Sequence, residues 1–195
     1  MKRQWALVAM GAWLAGTVCM SVVATENFYT IDRLLATSSN TAFRAAVQQL
    51  EHGLARDLLR FLSSELNRLY FQIWNAAQLA IGAAVLWSIA PFRLRAGSAN
   101  RDSRVEPAVP AARGVVAMIA IVVLMLVWLT PAIVSLGRSL DFVPRDPAPQ
   151  GMQRFWILHA AYTSLEMIKL IVGVWVTYRL SLTPSRAIDV RSVRL

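Results

Sequence analysis

Three ionisable side chains lie inside one apolar run of this chain, well before the arginine at its end, and their chemistry most needs explaining. Phe155 to Leu180 is long enough to cross a bilayer, yet it carries His159, Glu166 and Lys169. At about 100° per residue, His159, Tyr162, Thr163, Glu166, Gly173 and Thr177 share one broad helical face, with Lys169 on its edge. A charge near a bilayer centre costs at least about 2.5 kcal/mol, so Glu166 and Lys169 must be paired, solvated or turned toward other helices. An imidazole, a carboxylate and an ammonium on one face suit a protonatable path. A neutral imidazole also suits copper or haem iron. The i, i+3 spacing of Glu166 and Lys169 equally suits a plain ion pair.

A second polar set lies in Leu69 to Ile89, where Asn75, Gln78 and Gly82 fall on one face. In hydrocarbon these amides have no water to bond, so they should bond across to another helix. This stretch and the fourth run in the same direction through the membrane. Asn75 and Gln78 therefore fall at depths similar to His159 and Glu166, which predicts a polar cluster in the interior.

The elements that must position these groups are four apolar spans, at about 5–24, 69–89, 115–136 and 155–180, within a single domain over 1–195. Trp5 to Ala24 holds about 20 uncharged residues, roughly 30 Å of helix. It exceeds the usual length of a secretory apolar core, so we read it as a retained span in preference to a cleaved signal peptide. Gly11, Ala15 and Cys19, beside Ala12 and Gly16, make small-residue ridges that permit close helix approach. Between the first two spans, Phe43, Val47, Leu50, Leu54, Leu58, Phe61, Leu62 and Leu66 recur at three- and four-residue intervals after a cap at Asn40 or Thr41. This predicts an additional amphipathic helix on the membrane surface or over the bundle. Residues 90–114 form a basic loop with Pro107 and Pro110, read as a flexible cytoplasmic linker, and 181–195 form a basic tail. In the third span Pro131 removes a helix hydrogen bond and predicts a kink toward the outer end, with Arg138 just beyond.

Composition points the same way. With 56% hydrophobic residues and a mean hydropathy of +0.48, the chain is too apolar for an ordinary soluble domain. The net charge of +9 does not call for a nucleic-acid partner, because topology accounts for it. The N-terminus, the 93–113 loop and the tail together with Arg179 hold 11 basic and 3 acidic residues, and the two opposite loops hold 8 and 7. That asymmetry places both termini in the cytoplasm and the spans in the cell (inner) membrane. One cysteine, Cys19, excludes a disulfide framework or a cysteine-rich metal cluster. No nucleophile motif, phosphate-binding glycine loop or His-Glu-x-x-His spacing occurs, so the sequence offers no ground for an enzyme.

Taken in order, several features resemble the bacterial family of the domain of unknown function 4149, itself similar to eukaryotic transmembrane protein 205. They are a small-residue first helix, an amphipathic connection, a polar-headed second helix, Thr130-Pro131 followed by Arg138, and the Phe155-x-x-x-His159 start of the fourth span. The second span departs from the pattern: Leu69-Tyr70-Phe71 lacks the proline of a Phe-Pro-x-Tyr-Phe-like entry. The resemblance implies a four-helix fold of the copper-resistance D-like group, whose wider relatives are linked to copper uptake and haem. It carries over Pro131, Arg138, Phe155 and His159; Glu166 and Lys169 stand on the chain's own physics.

The resulting expectation is an all-α, multi-pass four-helix membrane bundle. Its role would be structural or in assembly, or the handling of a small solute or ion through a polar interior of His159, Tyr162, Glu166, Lys169, Asn75 and Gln78. The alternative is a copper or haem site on His159 near the outer face, with Cys19, Met20 or His52 as partner ligands. Four helices are few for a transporter, so a homo-oligomer or a membrane-protein partner is expected alongside the lipid bilayer.

Overall fold

The structure is a computed structural model that describes residues 2–94 and 108–182. Every regular element among the described residues is helical: α1 (Lys2–Thr37), α2 (Thr41–Gln49), α3 (His52–Leu94), α4 (Ala108–Leu124), α5 (Thr130–Ser139) and α6 (Met152–Ser181). A π-helical turn, Met125–Leu129, joins α4 to α5. Four helical stretches are long and apolar enough to cross a membrane: Arg3–Thr37, Gly53–Ile89, Val109–Ser139 and Met152–Ser181.

Helices α1 and α3 extend well past their expected ends. The 36 residues of α1 and 43 of α3 correspond to about 54 and 65 Å of helix at 1.5 Å per residue. No proline or glycine interrupts Thr25 to Thr37, and the only glycine between His52 and Arg68 is Gly53, in the first turn of α3. The two extensions are tied together: Asn27 Nδ2 donates to Asn67 Oδ1 at 2.6 Å, and Arg56 pairs with Asp32 at 2.7 Å. The amphipathic segment is therefore divided. Its first part is α2, where Asn40 Oδ1 accepts from the Phe43 amide at 3.0 Å as an N-cap. The extended backbone of Leu50 ends α2, and the remainder, from Leu54 to Leu66, continues without a break into the second span.

The expected kink at Pro131 takes the form of the π turn. Pro131 offers no N–H to the Val127 carbonyl, and its ring would crowd that oxygen in a regular helix. The backbone widens just before it, so that the Thr130 amide reaches Met125 O, five residues back. Helix α4 begins earlier than expected, because Pro110 falls in its first turn, where a missing N–H is tolerated. Residues 95–107 of the basic loop, the basic tail 183–195 and the His52 side chain lie outside the described residues, and with them Pro107, Arg186, Arg191 and Arg194.

Helix α1 lies along α3 and also meets α6, while α4 packs on both α3 and α6. The densest core is in the half where α1 begins and α6 ends, here called the lower half. Ala6, Met10 and Trp13 meet Val85 and Ile89 of α3, Val115 and Met118 of α4, and Val176 and Leu180 of α6. Arg3 closes this end by donating to the Leu180 and Ser181 carbonyls at 2.8 and 2.6 Å, satisfying groups that the end of α6 leaves unpaired. Trp87, Val127 and Ile171 point outward and exposed, as befits helices that meet an apolar solvent.

Candidate functional site

Midway along the helices the apolar core gives way to a buried polar cluster. Lys169, 1% exposed, donates from Nζ to Glu166 Oε1 at 2.9 Å and to Gln78 Oε1 at 2.5 Å. The same Gln78 oxygen accepts from Trp13 Nε1 at 2.9 Å, and Gln78 Nε2 donates to Asn75 Oδ1 at 3.3 Å. Three helices thus meet through one amide. This geometry answers the cost of burying a charge: the ammonium has an anionic partner and a carbonyl partner, and the carboxylate is neutralised on one oxygen.

Above the cluster a cavity of about 760 Å³ opens between α1, α3, α5 and α6. Its deep end is lined by Thr17, Trp74, Thr130 and Glu166, and its mouth by Tyr29, Asp57, Arg60, Phe142 and Arg145. Along α6 the lining runs from Glu166 up to Phe155, a depth of about 16 Å. Aromatic rings form much of the wall. Phe71 meets Tyr162 edge-on at 5.3 Å, and Phe61 packs on Phe142 at 5.4 Å between ring centres.

Four side-chain atoms at the deep end are buried without a well-formed hydrogen bond: Trp74 Nε1, Thr130 Oγ1, Tyr162 Oη and Glu166 Oε2, of which the Tyr162 hydroxyl interacts loosely with Glu166 and Asn75. All four residues line the cavity. Asn75 Nδ2 is likewise buried without a well-formed bond beside them. Buried polar atoms are paired in the great majority of cases, so a ring of unpaired ones around open space marks where a polar occupant belongs.

At the rim, Arg68 ties α3 to the segment beyond α5. Its guanidinium pairs with Glu65 on its own helix and with Asp141 beyond α5 at 3.2 Å. Arg138 reaches Glu65 at 3.5 Å from a side chain that is 61% exposed. Gly137 allows this approach, since a Cβ there would stand 3.3 Å from both Arg68 Nη2 and the Phe155 ring.

Of the residues singled out in the sequence, Asn75, Gln78, Glu166 and Lys169 come together in one network, with Tyr162 beside it on the cavity wall. His159 lines the same cavity nearer the mouth, its ring 4.6 Å from Phe155 and 6.1 Å from Trp156. Pro131 shapes the helix and is itself exposed. Sequence reasoning missed Trp13, Trp74, Thr130 and Arg68. A tryptophan placed mid-span instead of at an interface was the available sign for the first two. No protein-family model, curated protein or solved structure matches the chain.

Among the described residues, no three His, Cys, Asp or Glu side chains converge to hold a metal ion. Cys19 is exposed on α1 and does not line the cavity, whereas Met20 does. His159 and Met20 do share one space, so a haem has two donor types available to it.

Proposed function

We propose that this chain is a multi-pass protein of the cell membrane whose cavity handles a small solute from one side. In this reading the four long helices form a membrane bundle, both termini are cytoplasmic, and the cavity faces the outer side, as the charge asymmetry of the loops supports. The amphipathic α2 lies at the outer surface. Such a bundle also agrees with the four-helix fold that the resemblance to the domain of unknown function 4149 implies.

The observation that carries the reading is the Glu166 carboxylate. One oxygen is spent on Lys169 and the other is buried, without a well-formed hydrogen bond and on the wall of the cavity. The network also divides the competing roles among its members. Lys169, Gln78 and Trp13 join three helices and serve assembly, while Glu166 and Tyr162 face the space above. Below Lys169 the fully buried side chains of the described residues are apolar, and Leu14 and Met118 pack against Gly173 one turn further down. That favours one-sided binding over a continuous proton path within a single chain.

The test is thiol accessibility in proteoliposomes, with Cys19→Ser as background. Thr130→Cys at the deep end should react with a small water-soluble thiosulfonate added on the side away from the termini, and Val122→Cys in the apolar core should not. Equal protection of both positions, or reaction from the other side, would overturn the reading. A homo-oligomer belongs to the same proposal: Gly11, Ala15 and Cys19 form an outward, exposed ridge, and Gly11 has nothing within 4 Å of its Cβ position. Oxidative cross-linking through Cys19 should then give a dimer, and a persistent monomer would remove that part.

Haem binding is the second reading, supported by His159 of α6 and Met20 of α1, which line the same cavity. Its check is an optical spectrum of the purified protein beside His159→Ala. A Soret band lost in the variant would establish it, and a featureless spectrum in both would end it.

A further inference from the structure

The arrangement of charge and hydrogen-bonding capacity around the cavity narrows what fits it. On the lining, Arg60, Arg68 and Arg145 are balanced by Asp57, Asp141 and Glu166, and Lys169 lies just beneath the carboxylate. The walls therefore hold no excess of negative charge to attract a cation, and the ammonium under the floor opposes one. An anion meets Glu166 at the deep end. A neutral molecule suits both.

The atoms without a well-formed bond define its polar end. Glu166 Oε2 is the carboxylate oxygen that Lys169 does not use, and it has room to accept a hydrogen from an occupant beside the Tyr162 hydroxyl. Trp74 Nε1 only donates, so the same occupant must also offer an acceptor. Tyr162 and Thr130 hydroxyls can do either. One group that both donates and accepts is a hydroxyl. Above it the cavity is walled by Phe71, Phe155 and Trp156, which suits a ring or an alkyl body.

We infer that the cavity takes a neutral, hydroxyl-bearing amphiphile of the phenol or quinol class, its hydroxyl donating to Glu166 and accepting from Trp74 and the Tyr162 hydroxyl. This rests on the reading of the cavity as a one-sided solute site. Water alone could satisfy the same four atoms, and the experiment is built to separate the two.

Three probes of nearly equal apolar size are titrated calorimetrically into the detergent-solubilised full chain, with empty micelles as blank: 4-heptylphenol, its methyl ether and heptylbenzene. The phenol donates and accepts, the ether only accepts, and the hydrocarbon does neither. The phenol should bind at least about ten-fold more tightly than the ether, the factor that one hydrogen bond to a charged group supplies. Glu166→Gln should shrink that ratio. Because loss of the Lys169 partner can impair folding, Tyr162→Phe is the companion variant: it should weaken the phenol a few-fold and leave heptylbenzene unchanged. Equal affinity for all three probes overturns the inference and leaves a water-lined apolar cavity, with Thr130→Cys still reactive. No binding of any probe also overturns it, and if Thr130→Cys is then unreactive as well, the solute-site reading falls with it.

Discussion

The lower half of the molecule and the upper half are built from the same four helices, yet one is filled and the other is hollow. In the lower half, large side chains enter the spaces left by glycines on neighbouring helices. A Cβ on Gly82 would stand 2.7 Å from Ile119 and 3.1 Å from Trp13, and one on Gly173 would stand 2.6 Å from Leu14. In the upper half, rings face rings, and Phe71, Phe142, Phe155 and Tyr162 hold the helices apart around open space. Glycines admit neighbours in both halves, but in the upper half the close approaches, Gly16 to Trp74 and Gly137 to Arg68 and Phe155, border the cavity without filling it. The polar network sits on the boundary, paired toward the packed side and unpaired toward the cavity.

Removing the boundary should have the largest effect. Glu166→Ala leaves the Lys169 ammonium buried with only an amide oxygen for company, and stability should fall by about 3–5 kcal/mol. Adding Lys169→Met to that variant should recover much of the loss, because no charge then remains to be solvated. Equilibrium unfolding in mixed detergent micelles measures both. If the single and double variants are equally unstable, the pair is not what joins the two halves.

Truncation on either side of the boundary sharpens the contrast. Met118 is fully buried in the filled half, and Met118→Ala should cost about 3 kcal/mol. Phe71 is the larger residue, but it already borders empty space on one side, so it has fewer contacts to lose. Phe71→Ala should cost about 1 kcal/mol by the same assay. Equal losses would mean that the upper half is as well packed as the lower.

The positions of the four apolar helices were legible because each is a long, predominantly apolar run, and no tertiary information is needed to see one. The polar cluster was legible as well. Asn75, Gln78, Glu166 and Lys169 are too costly to leave in hydrocarbon, and matching their depths in two parallel spans brings them together. The lengths of α1 and α3 were not legible, because Thr25 to Thr37 and His52 to Arg68 look like a polar connection until each is seen to lie against the other through Asn27, Asn67, Asp32 and Arg56. Nor was the cavity. A void is the absence of contacts between side chains far apart in sequence, and no local pattern records it. Trp13 was overlooked for a related reason: its N–H is one polar atom on an apolar ring, and it matters only because Gln78 lies opposite.

The smallest contrast concerns two arginines at the rim. Arg138 drew notice in the sequence because it follows Pro131, whereas Arg68 was one charge among several at the head of the second span. The structure reverses their weight. Arg68 is 11% exposed and bridges Glu65 to Asp141, so it holds α3 against the chain beyond α5. Arg138 reaches only Glu65, at 3.5 Å, and its side chain is mostly in solvent. An exposed pair at that distance contributes about 0–0.5 kcal/mol, so Arg138→Ala should leave stability nearly unchanged. Arg68→Ala strands the mostly covered Asp141 carboxylate and should cost about 2 kcal/mol. It should also speed hydrogen exchange in the 138–145 segment, a local effect that a general loss of stability would not confine there. Equal behaviour of the two variants would show that the rim is held by Phe61 on Phe142 and not by charge, and the upper half would then owe its shape to aromatic contacts alone.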